Sequence, residues 1–160
     1  MTQRSHKIFA ALIFLSFAAL LGLARLGTAQ SSASDPWEKS QTVQPAELVK
    51  ELGEAKTAPV IVFVGFQRLF TAGHIHGAQF HGSGGSAEGL AQLKTWAATV
   101  PRTANVVLYC GCCPMEKCPN IRPAFSALRE LGFKNLRVLM LPNDFAADWA
   151  DKGYPYDKGQ

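Results

Sequence analysis

Outside one stretch of nine residues, this chain of 160 residues has no cysteine. All four lie between Cys110 and Cys118, so no disulfide could tie distant parts of the chain together. A bridge here would close a very small ring, and one between the adjacent Cys112 and Cys113 would be strained. Such bonds suit reversible redox chemistry better than structural stapling. An excess of one charge sign is missing too. The formal net charge is +4, but Arg4, Lys7 and Arg25 sit near the N-terminus, and without them 13 basic residues face 12 acidic ones. That balance offers no basic surface to nucleic acid or to an anionic membrane. Gly82-Ser-Gly-Gly-Ser86 lacks the Gly-Lys-Ser/Thr ending of a phosphate loop and no strand feeds it directly. It reads as a flexible connector. No internal repeat is present.

What the chain does have begins with a leader. Arg4, His6 and Lys7 precede the almost wholly apolar run Ile8 to Ala24, and Gly27 and Ala29 follow with signal-peptidase spacing. Residues 1–29 therefore read as a secretory signal peptide, with an uncleaved membrane anchor as the alternative. No cysteine directly follows the apolar run, which argues against a lipoprotein anchor. Residues 30–41, polar and rich in small side chains, read as a tether, and 42–160 as one domain. The expected location is periplasmic or secreted, touching a membrane only through the leader.

Within the domain, strand and helix patterns alternate. Thr42-Val43 is a short strand, and Pro45 opens a helix carrying Leu48 and Leu52. Pro59 to Val64, Val106 to Tyr109 and Leu136 to Leu141 are unbroken apolar or β-branched runs, the pattern of strands buried on both faces. Leu90, Leu93 and Trp96 mark a helix. A further helix runs from Asn120 to Leu131 and is closed by Gly132, and a last one runs from Asp144 to Lys152 with Phe145 and Trp149 four apart. The alternation implies a mostly parallel sheet covered on both faces, with sites at the carboxyl ends of its strands.

Cys110 stands at such an end. The active-site loop that follows contains Gly111, Cys112, Cys113, Pro114, Met115, Glu116, Lys117, Cys118, Pro119 and Asn120, where a helix begins. Loop amides and the positive helix end favour a thiolate, which makes Cys110 the candidate nucleophile. Cys112, Cys113 and Cys118 are candidate resolving or sulfur-accepting thiols. Cys112, Cys113 and Cys118 could alternatively ligate zinc or copper in a metal-binding or redox-sensing module, although no second cysteine pair completes a knuckle. His74 and His76 alternate along the chain but lie in a Gly-rich segment, where a structural role outweighs metal ligation.

Two segments together carry a resemblance. Phe70-Thr-Ala-Gly-His-Ile-His-Gly-Ala78 resembles the Tyr-x-x-Gly-His-Ile-Pro-Gly-Ala signature of rhodanese-like domains. The strand ending in Cys110, with its loop and a helix ending Leu131-Gly-Phe133, resembles their active-site segment. The likeness extends over roughly Thr42 to Tyr156 and includes Trp149 and Gly153-Tyr-Pro155. It implies a three-layer α/β fold with a five-stranded, mostly parallel sheet. It also implies a thiosulfate-type sulfurtransferase in which Cys110 becomes a persulfide and passes sulfur to a thiol acceptor, with no cofactor. His74 falls on the family's structural histidine. A small sulfur donor, an acceptor thiol and an exported thiol reductase are the implied partners. The sequence departs from the family where Asp-Val-Arg is common, having Phe63-Val64-Gly65, and its active-site loop is about twice the usual length. Arg122 is a candidate to replace the missing cation as an anion contact.

Overall fold

The computed structural model describes residues 34–54 and 58–159, so the expected leader and residues 30–33 lie outside the described residues. Five parallel strands form the sheet: β1 (Thr42–Val43), β2 (Val60–Phe63), β4 (Gln79–Phe80), β5 (Asn105–Tyr109) and β6 (Asn135–Leu139), in the order β1-β6-β5-β2-β4. Two further strands, β3 (His74–Ile75) and β7 (Tyr156–Asp157), pair antiparallel beside it.

Residues of one strand alternate between the two faces of the sheet, and each face has its own core. On one, Val62, Val106, Leu108 and Val138 pack with Phe125 and Leu128 of α4 (Ile121–Glu130) and Leu93 of α3 (Ala87–Ala97). On the other, Ile61, Phe63, Val107 and Tyr109 meet Leu48 of α1 (Pro45–Gly53), Phe70 of α2 (Gln67–Ala72) and Trp149. The three-layer arrangement expected from the unbroken apolar runs is the arrangement observed.

α4 ends as Gly132 implied. That glycine has φ +88°, its N–H donates to Arg129, and Phe133 N–H donates to Leu128. These two bonds form the Schellman closure, with Phe133 and Leu128 sharing one core.

Three expectations need correction. The last helix is not continuous: α5 covers only Phe145–Asp148, and a 3₁₀ turn spans Ala150–Lys152. Trp149 leaves helical torsion (φ −130°, ψ −65°) with its ring fully buried and its indole N–H donated to Pro155 O at 2.9 Å. The tether, where described, is docked. Trp37 is 8 % exposed and meets Phe125 edge-on at 5.4 Å, while Asp35 pairs with Arg122 at 2.7 Å. The Gly82–Gly85 run is not a flexible connector but a close-packed crossing. A Cβ on Gly84 would fall 2.1 Å from Asn120 O, and one on Gly82, at φ +111°, would fall 2.3 Å from Gly89 O.

Candidate active site

Cys110 directly follows β5, whose last four residues are buried. Gly111 then turns the chain at φ +64°, where a Cβ would come within 2.8 Å of Phe145 Cβ, so glycine is required for both torsion and space. The loop is held from below: Phe145 N–H donates to Gly111 O at 3.0 Å and Met115 N–H to Pro142 O at 3.3 Å. Met115–Lys117 form a 3₁₀ turn. Cys118 and Pro119 then lead to Asn120, the residue before α4.

This path folds the loop back so that its sulfurs converge. All four cysteines are free thiols. Cys110 Sγ lies 3.1 Å from Cys112 Sγ, and the sulfurs of Cys110, Cys112 and Cys118 all lie within 4.8 Å of one another. Cys113 Sγ is 3.2 Å from Cys112 Sγ but outside that group of three. If the loop held a soft metal ion, the convergent donors would thus be Cys110, Cys112 and Cys118. The set Cys112, Cys113 and Cys118 expected from the sequence is not the one brought together. Glu116 and Lys117 are exposed on the 3₁₀ turn, and Pro114 precedes it.

Asn120, expected only as a residue of the loop, has a role the sequence did not announce. It is fully buried. Its Oδ1 accepts from Ser83 Oγ and from Gly85 N–H, both at 2.9 Å, which fixes the amide orientation. Its Nδ2 therefore faces the sulfurs and donates to Cys110 at 3.4 Å and Cys112 at 3.6 Å. A Cβ on Gly85 would lie 2.6 Å from that Oδ1, so the glycine makes room for the carboxamide. Ser83 and Gly85 are 35 or more residues away in sequence, and no local pattern announces them.

Ionisation within the cluster is uneven. The hydrogen bond from the Cys110 thiol, and the N–H groups of Asn120 and Ile121 at the start of α4, outweigh burial and lower the Cys118 thiol to about 5. Cys110 moves the other way: its hydrogen bond to Cys118, burial and the neighbouring negative charge all push its thiol well above the usual range. Burial and the Cys112 sulfur push Cys113 up to about 12. The surroundings thus favour negative charge on Cys118 over Cys110 within this pair. The hydrogen bond between the two thiols raises its donor, Cys110, and lowers its acceptor, Cys118, and the helix amides add to the lowering on the sulfur next to them.

Arg122 commits its guanidinium to other partners. It pairs with Asp35 and donates to the carbonyls of Met115 and Cys118 at 3.2 and 3.3 Å, which braces the back of the loop. His74 is 5 % exposed, with Nδ1 2.8 Å from Phe70 O and its ring stacked on that of Phe70 at 3.8 Å. His76 is exposed and pairs with Asp157 at 2.9 Å across β3 and β7.

In front of Cys110 and Cys112 lies a recess of about 420 Å³, walled by Phe63, Leu69, Phe145 and Tyr156 among others. The Phe63 ring, one of these walls, packs against Phe70, Phe80 and Tyr109, with ring centroids 5.1–6.2 Å apart. A larger cavity of about 540 Å³ opens at the amino ends of β5 and β6, but Arg137 there is clamped on Glu51 at 2.6 and 2.8 Å and no cysteine lines it.

No protein-family model matches the sequence, and no curated protein matches it. Solved structures do. The rhodanese-like domain of the Alr3790 protein from Anabaena superposes with a TM-score of 0.54 at 18% identity, over 74% of this chain and 79% of that one. The BH2092 protein from Bacillus halodurans gives 0.59 at 16% identity, over 74% and 77%. EanB, solved as a cysteine persulfide in a tetrahedral intermediate state with ergothioneine, gives 0.55 at 21% identity, over 73% of this chain but only 28% of its own. At these identities the likeness is one of fold: the chain has the rhodanese-like α/β fold.

Proposed function

We propose that this protein is a sulfurtransferase or persulfide carrier in which Cys110 takes up sulfane sulfur and passes it to a thiol. One observation carries the reading. Three sulfurs converge at the carboxyl end of β5, with a buried amide on one and helix amides on another. Cys110 lines the recess, whereas Cys118 lies behind it as a thiolate within reach of the Cys110 proton. As a donor enters, Cys118 accepts that proton and the Cys110 sulfur attacks the sulfane sulfur. A new S–S bond forms on Cys110, the donor's S–S bond breaks, and its electron pair leaves with the donor remnant. Asn120 Nδ2 steadies the negative sulfur as it forms. An acceptor thiolate then takes the outer sulfur. Where Cys112 attacks instead, the products are a Cys110–Cys112 disulfide and hydrosulfide, and an external dithiol reductase restores both thiols. The EanB persulfide supports such chemistry on this fold. The leader directs export, which cell fractionation checks.

The test is mass spectrometry of the peptide spanning 110–118 after incubation with excess sulfane-sulfur donor. The expected result is a gain of one sulfur that cyanide removes and that Cys110→Ser abolishes. No gain, or one that persists in that variant, overturns the reading.

The grouping of Cys110, Cys112 and Cys118 also favours a second reading, a site for a soft ion such as Cu(I) or Zn(II). Stoichiometric metal in anaerobically purified protein, lost in Cys112→Ser, would establish it. Metal-free protein that loads sulfur would dismiss it.

A further inference from the structure

The recess in front of Cys110 is built for something other than a small inorganic dianion. Its volume of about 420 Å³ falls within the ~300–1,000 Å³ of pockets that enclose whole organic ligands. Its walls are apolar: Phe63, Leu69, Ala72, Phe145, Ala150 and Tyr156. Lys158 is the one cationic side chain among its lining residues, and the Asp144 carboxylate, which also lines it, opposes that charge while capping Ala147 N–H. Arg122, the cation that could have joined the site, is committed to Asp35 and to loop carbonyls. A dianion would leave water for a site with no net positive field, which costs more than it returns. An aromatic body would meet Phe145 and Tyr156, already set edge-to-face at 6.1 Å.

Resting on the sulfur-transfer reading, we infer that the recess selects an organic sulfur donor: a monoanionic thiosulfonate or persulfide with an apolar, preferably aromatic, body. Its single charge faces Lys158 at the rim and its sulfane sulfur reaches Cys110. With an aryl thiosulfonate, the Cys110 sulfur bonds to the terminal sulfur, the S–SO₂ bond breaks, and the electron pair departs with the arenesulfinate. Cys118 receives the Cys110 proton, so no oxidant or reductant is needed.

Benzenethiosulfonate and methanethiosulfonate share that leaving chemistry and differ in the ring. We expect kcat/KM for the benzene donor to exceed that for the methane donor at least tenfold, after division by their rate ratio with a small free thiol. Ala72→Phe places a ring in the recess from an exposed position on α2. It should lower the benzene donor at least five times more than the methane donor. Equal use of the two donors, or equal loss in the variant, overturns the inference. Calorimetry on Cys110→Ser separates this from failure of the sulfur-transfer reading, because benzenesulfonate has no sulfur to give. If it binds tenfold tighter than methanesulfonate, the recess inference stands even where no donor loads Cys110. If the two bind alike, the inference falls.

Discussion

Cys110 and Cys118 are the same residue type, are 1 % and 4 % exposed, and have sulfurs within 4.8 Å of each other. They nonetheless ionise in opposite directions. Cys110 ends a buried strand, and its polar neighbours are a carboxamide, other thiols and a single backbone N–H, that of Cys112. Cys118 stands before a ten-residue helix whose first N–H groups have no helical partner and turn to its sulfur. The hydrogen bond between the two thiols is the first cause of both shifts, raising the donor and lowering the acceptor, and the helix amides deepen the lowering against burial. In the proposed reaction the pair divides the work between a protonated thiol that faces the recess and a charged one that can receive its proton.

The largest effect expected from breaking this pair is kinetic. Cys118→Ser should slow sulfur loading of Cys110 by about 100-fold at neutral pH, the lower range for loss of a positioned general base. The variant also removes the charge that raises Cys110, so the rate should recover as the pH rises toward the ordinary thiol value near 9. Quench-flow with mass detection measures it, and an unchanged rate at pH 7 would show that the two thiols act independently.

A thermodynamic effect comes next. Asn120→Ala leaves Ser83 Oγ and Gly85 N–H without their acceptor, at a cost of about 1–3 kcal/mol. The urea midpoint should fall accordingly, and the Cys110 loading rate should fall with it. A variant as stable as the parent would show that water replaces the carboxamide.

The comparison also fixes a pH dependence. The Cys118 thiol is lower folded than unfolded, so its contribution is fully present above its usual value near 9 and is lost as pH falls through about 5. Cys110, raised on folding, acts the other way and lowers stability above about 9. Stability should therefore climb between about pH 5 and 9 and decline beyond. Cys118→Ser should flatten the climb beyond what the other titrating groups contribute. Identical slopes in parent and variant would contradict the assignment of the charge.

The smallest effect belongs to Arg122→Ala. Its pairing with Asp35 is partly exposed, so about 1 kcal/mol or less of stability should be lost. Sulfur loading should change by less than twofold, since the guanidinium touches the back of the loop. A tenfold loss would give Arg122 a direct role.

How much of this was legible in the sequence differs from element to element. β2, β5 and β6 were readable because strands buried on both faces leave continuous apolar runs, and the closure of α4 because Gly132 needs a torsion other residues resist. α2 is too short for a helical period to register, and the two-residue strands β3 and β7 are defined by each other. The position of Cys110 at a strand end was legible as well. Its protonation was not, since that depends on which sulfur the α4 amides reach and on an asparagine oriented from another loop. Trp37, read within a tether, owes its burial to Phe125 and has no local signature.

That cross-loop tie through Asn120 bears on protein engineering. The stretch from Cys110 to Cys118 is not a portable cassette. A host scaffold given those nine residues alone would also have to supply a hydroxyl and a side-chain-free amide from the crossing opposite. Without them the carboxamide would be free to rotate, and the sulfurs would lose the donor that orders them.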